Sequence, residues 1–158
     1  MVGQLGSSLI LGNMYLLQAF ISKDEKSDSL KMDIPFVSLE QGFLIFPVNK
    51  VVREKLNIPI SPLIEGNDNG ISIISSFGCS VSNKIKVAYV EAEFFGGRGM
   101  QASVIFENEK IVSEPKLSIN AINLALQYLG VSKLNFFDEF DALGLGKYRD
   151  TEKWTNNV

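Results

Sequence analysis

Glu91 and Glu93 stand two residues apart, with Arg98 and Gln101 close behind them in the stretch Val87 to Phe106. Residues two apart on a strand share a face, so this spacing offers a carboxylate pair for acid–base work or for a metal. Arg98 is placed to neutralise one of the two across a turn. A second acidic group, Asp138, Glu139 and Asp141, precedes Tyr148, Arg149 and Trp154, but its spacing is not that of a calcium loop, and capping or solvation is its expected role. The chain contains no histidine, which removes the commonest general base and zinc ligand and with them Ser-His-Asp and Cys-His mechanisms. The sequence therefore predicts no catalytic residue, no metal site and no cofactor, and a polar network around Glu91 and Glu93 in preference to a catalytic pair.

Gly96-Gly-Arg-Gly99 follows a strand pattern and invites comparison with a phosphate-binding loop, whose backbone N–H groups cradle an anion at a helix start. Here the next segment, Gln101 to Phe106, reads as a strand. There is no Gly-Lys-Ser/Thr ending, and the three-glycine dinucleotide spacing is not met. The glycines are expected to close a hairpin.

The elements that position these residues follow from periodicity. Leu9 to Ile21 is an apolar run read as a strand buried on both faces; no Lys or Arg precedes it, so it lacks the basic start of a secretory leader. Ser22 to Ser29 is a charged surface loop. Phe43 to Phe46 is a second buried strand, stopped by Pro47, and Asn49 is the N-cap of a helix through about Leu56. Residues 57–69, with two prolines and Asn67-Asp-Asn-Gly70, read as a loop; Ile71, Ile74, Phe77 and Gly78 read as a short helix, although the β-branched content of Ile71 to Ile74 also allows a strand. Lys86 to Phe95 alternates as a strand, with Val87, Tyr89, Glu91 and Glu93 on one face and Ala88, Val90, Ala92 and Phe94 on the other. Glu107 to Lys110 forms the next turn. Ser118 is the expected N-cap of a helix that carries Ile122, Leu126 and Leu129 and ends at Gly130. A helical turn is expected near Asp138 to Leu143.

At 158 residues, 46% hydrophobic and 21% charged, the chain matches one globular domain spanning residues 1–158. The fold class expected is α+β, with a mainly antiparallel or mixed sheet and two or three helices. A net charge of −3 creates no field for a polyanion, so neither nucleic acid nor membrane is an expected partner, although a local basic patch remains compatible. Acidic residues outnumber basic ones near the C-terminus, an arrangement suited to a basic partner. The lone Cys79 makes no intramolecular disulfide and fits a buried structural thiol in a cytoplasmic protein.

Two segments together resemble a family of small uncharacterised bacterial proteins: Tyr89-Val-Glu-Ala-Glu-Phe-Phe-Gly-Gly-Arg-Gly-Met-Gln101, and Asp138-Glu-Phe-Asp-Ala-Leu-Gly-Leu-Gly-Lys-Tyr-Arg149 with Trp154. The resemblance covers roughly residues 87–154. It implies a cytosolic bacterial protein that binds another protein, in the manner of an acidic immunity partner to a toxin. It also implies that Glu91, Glu93, Arg98, Gln101, Asp138, Asp141, Tyr148, Arg149 and Trp154 gather in the fold; if the hairpin and the C-terminal segment meet, Arg98 and Arg149 can pair with Glu91, Glu93, Asp138 or Asp141. The alternative is a small-ligand-binding protein or enzyme that uses Glu91, Glu93, Arg98 and Gln101 in a pocket beside the Gly96–Gly99 turn.

Overall fold

The computed structural model describes residues 14–24, 32–96 and 98–156. Expectations for residues 9–13 and 25–29, and for Gly97 within the turn, lie outside the described residues. The first strand, β1 (Met14–Lys23), runs antiparallel between β3 (Phe43–Pro47) and β4 (Lys86–Phe95). With β2 (Val37–Ser38), β5 (Arg98–Glu107) and β6 (Lys110–Ser118) they form one six-stranded sheet in the order β2-β3-β1-β4-β5-β6. Every ladder between these strands is antiparallel.

Helices cover both faces of this sheet. Against one lie α1 (Lys50–Leu56), α2 (Pro62–Glu65) and α3 (Asp68–Val81), where Val52, Leu63 and Ile74 pack on Phe20, Phe46, Tyr89 and Phe106. Against the other lie α4 (Ala121–Leu129), α5 (Glu139–Leu143) and α6 (Lys153–Asn156). Here Ile122, Leu126, Phe140 and Trp154 pack on Tyr15, Ala19, Val90 and Phe94. This double cover explains why β1 and β4, although antiparallel, are apolar on both faces. The fold is α+β, as the sequence predicts, with six helices among the described residues where two or three were expected.

The additional helices come from short segments without a long apolar period. Residues 57–69 are not a plain loop: Pro62 starts α2, and Asn67 caps α3 by accepting the Gly70 N–H at 2.9 Å. Asn49 caps α1 as expected, accepting from Val52 N–H at 3.0 Å. Ser118 is not the cap of α4; it is the last residue of β6, and the helix starts after Asn120. The edge strand β6 escaped the sequence reading because it is exposed along most of its length and contains Pro115 and two lysines, features tolerated only at a sheet edge. The expected turn at Glu107 to Lys110 is present, with Asn108 and Glu109 at φ 54° and 65°, as a two-residue hairpin with both central residues at positive φ requires.

No helix among the described residues is long and apolar enough to cross a membrane. One close approach sets the spacing of α3 from the sheet: a Cβ on Gly78 would lie 2.2 Å from the ring of Phe106, which is fully buried. Gly78→Ala is therefore expected to overpack this contact by about 1–3 kcal/mol, lowering Tm by roughly 2–12 °C. An unchanged Tm in a thermal melt would refute the close-packing account.

Candidate functional site

Gln18 and Glu91 are direct neighbours across the β1–β4 ladder, and both turn toward α2. Glu91 is fully buried. Its Oε2 accepts the Leu63 N–H at 3.0 Å and the Tyr89 hydroxyl at 2.6 Å, and its Oε1 accepts the Ile64 N–H at 2.9 Å. Gln18 donates to Pro59 O at 3.0 Å and accepts the Ser61 N–H at 3.3 Å. Two side chains on the central strands thus satisfy the donors of an irregular segment that burial would otherwise leave unpaired. Desolvation pushes the Glu91 pKa above the usual glutamate range; the hydrogen bonds from Tyr89, Leu63 and Ile64 pull against that rise, and the charge of Glu93 adds to it. Burial likewise raises Tyr89, reinforced by the Glu91 carboxylate beside it.

A comparable arrangement holds the other layer. Gln101 Oε1 accepts the Ile122 N–H at 2.9 Å in the first turn of α4. One residue on, Asn123 Oδ1 accepts the Phe140 N–H at 2.9 Å, and its amide donates to Asp138 Oδ2 at 3.1 Å. Asp138 caps α5 by accepting the Asp141 N–H at 2.8 Å. Burial raises the Asp138 pKa, opposed by those two donors and assisted by the charges of Asp141 and Glu139. Gln101 and Asp138, which lie in different sequence motifs, are thereby linked through α4. Asn123, like Gln18, is a residue that sequence reasoning missed, because it sits within an apolar stretch and nothing local marks its partners.

The expectation that the C-terminal segment meets the Gly96–Gly99 turn is corrected by its docking, and Arg98 forms no ion pair among the described residues. That segment lies against β1 and not on the β4–β5 turn. The Leu16 N–H donates to Arg149 O at 2.9 Å, Asp150 forms a parallel bridge with Leu16, and the Gln18 N–H donates to the Thr151 hydroxyl at 3.0 Å. It occupies the half of β1 that β3 leaves unpaired. Glu93 lines a cleft of about 170 Å³ with Asp150 and Glu152, and the cation there is Arg53, 3.7 Å from Glu152. Glu152 also accepts the Lys50 N–H at the start of α1 at 2.9 Å.

Gln101 and Glu91 occupy opposite faces of the sheet, since one reaches α4 and the other α2. Arg98 is exposed at the start of β5, paired in register with Phe95. Trp154 is buried, with the Tyr148 ring set edge-on against it at 4.9 Å. Among the described residues no group of three or more cysteine, aspartate and glutamate side chains is arranged to hold a metal.

A second exposed feature lies outside α4. A groove of about 280 Å³ runs between α4 and the segment leading into α5, walled by Leu124 and Phe137 and rimmed by Gln127, Lys133, Asp138 and Glu139. Leu134, Phe136 and Phe137 are 65%, 51% and 54% exposed, and Leu124 is 39% exposed. Leu134 is held at φ 53°, a left-handed conformation that disfavours leucine. Comparison with family profiles, curated proteins and solved structures found no match.

Two measurements check this geometry. Asn123→Ala strips two buried links between α4 and α5 and is expected to cost about 2–4 kcal/mol in chemical denaturation; a cost below about 1 kcal/mol would mean these bonds do not hold α5. Glu91 binds a proton more readily folded than unfolded, so its contribution to stability is greatest at low pH. That contribution falls as pH rises from the ordinary glutamate range through the raised folded value, then levels off. The stability difference between wild type and Glu91→Gln should follow that decline, whereas a pH-independent difference would contradict it.

Proposed function

We propose that the protein acts by binding another protein through the surface formed by Leu124, Leu134, Phe136 and Phe137, and that its partner presents an apolar segment flanked by basic residues. The observation that carries this reading is the exposure of Leu134 and the adjacent Phe136 and Phe137 on the segment leading into α5, where Phe137 and Leu124 line a groove. Folding rewards neither their exposure nor the backbone conformation of Leu134, whereas an interface core of aromatics within a polar rim rewards both. The exposed acid on the rim is Glu139, since Asp138 is buried as the α5 cap, and it favours a basic partner through charge complementarity. The net charge of −3 acts in the same direction.

The reading that joins these features to the motif resemblance is toxin neutralisation in a bacterial cytoplasm. An acidic protein of this size blocks a basic toxin by covering its functional surface, and needs no chemistry of its own. Glu91 supports this reading because both of its carboxylate oxygens are taken by donors within the fold.

The test is affinity capture from the native host with wild type and with Phe136→Ser/Phe137→Ser. Wild type is expected to retain a basic protein that arrests growth when expressed alone and is harmless when the two are co-expressed. The double variant is expected to lose that protein while its melting temperature stays within a few degrees of wild type, since both side chains are exposed. Undiminished retention by the double variant, or a partner whose expression has no effect on growth, would defeat the proposal.

A further inference from the structure

At the opposite end of the central strands, three lysines meet around a cavity of about 260 Å³. Lys23 is the last residue of β1, and Lys84 and Lys86 flank the entry to β4. Ile85 and Leu129 complete a lining that is mostly polar. The acid on the wall, Glu107, already accepts the Tyr128 hydroxyl at 2.5 Å. Lys86 is held in place, with its ammonium 4.9 Å from the centre of the Tyr128 ring and 3.4 Å from Tyr128 O. Lys23 and Lys84 form no side-chain hydrogen bond or ion pair among the described residues. Lys84 also sits at φ 62° in the turn before β4, a conformation that glycine or asparagine adopts at lower cost.

An acidic chain that lines one concavity with three lysines against the single acid Glu107, two of the lysines without an ion pair among the described residues, holds a local positive field against its net charge. Repulsion among the three is relieved by a multiply charged anion that lies between them. The cavity is slightly smaller than the roughly 300–1,000 Å³ of sites for drug-sized ligands, which limits the occupant to a compact group. We propose that this cavity binds the phosphoryl groups of a small soluble phosphorylated compound, with Lys23 and Lys84 as the principal charge donors and Lys86 fixed by Tyr128 as the third. The site lies apart from the aromatic groove and does not depend on the protein-binding reading.

Isothermal titration with inorganic pyrophosphate at low ionic strength tests this. Wild type is expected to bind at one saturable site that weakens as salt is added. Lys23→Gln/Lys84→Gln is expected to weaken binding by about tenfold or more, and Lys116→Gln, on β6 and outside the cavity, to leave it unchanged. Amide shifts of wild type on titration should centre on Ile85, Lys86 and Leu129, a readout that needs no variant. Absence of saturable binding, equal loss in Lys116→Gln, or shifts centred elsewhere would overturn the assignment. So would lysine-dependent capture on vesicles containing phosphatidic acid without pyrophosphate binding, which would assign the patch to a membrane surface.

Discussion

The structure depends on a buried pair of polar side chains, Gln18 and Glu91, side by side on the two central strands. Both sit in a layer that is otherwise apolar, between Phe20, Tyr89 and the helices above them. A carboxylate so placed is costly unless its oxygens are filled, and here backbone donors from α2 and the Tyr89 hydroxyl fill them. The same contacts determine where residues 59–64 cross the sheet, and that crossing directs the chain from α1 into α3. The irregular segment and the buried acid each remove the other's penalty, which makes the arrangement specific as well as tolerable.

The second face repeats the device with a neutral amide. Gln101 reaches the first turn of α4, and Asn123 extends the contact to Asp138 and the start of α5. Each layer of helices is thus positioned by a side chain from the central part of the sheet that engages a helix start. Of the residues whose types and spacing suggested chemistry, Glu91 and Asp138 are occupied in this way, and Gln101 through its oxygen, so function is to be sought where side chains remain unengaged. Two such places stand out: the aromatic groove beside α4, and the lysine-lined cavity at the far end of β1 and β4. They differ in chemistry, one apolar with an acidic rim and the other basic, and so suit different classes of ligand.

Most of the element order was legible in the chain. The alternation of Val87 to Phe94 assigned its two faces correctly, as the two cores show, because residues two apart on a strand must share a side. The caps at Asn49, Gly130 and Asp138 were readable because capping is a local event that a few neighbouring residues decide. Less legible were α2, whose apolar positions are too few to set a period, and β6, whose edge position permits proline and charge. Of the candidate site residues, the group at Asp138 to Asp141 was legible as capping or solvated, and Asp138 is the cap, whereas the roles of Glu91 and Gln101 were not legible, because each answers a donor far away in the chain.

What the sequence by itself determined is local: strands where apolar residues alternate or run together, helices where caps precede a 3.6-residue period, and the exclusion of histidine-based chemistry. Pairing of the polar residues was decided only by the tertiary structure. Strand order placed Gln18 beside Glu91, left half of β1 open for residues 149–151, and sent Gln101 and Glu91 to opposite faces. The physical reason is that a buried polar group takes its partner from whatever backbone the packing brings within about 3 Å, and sequence separation does not enter into that distance.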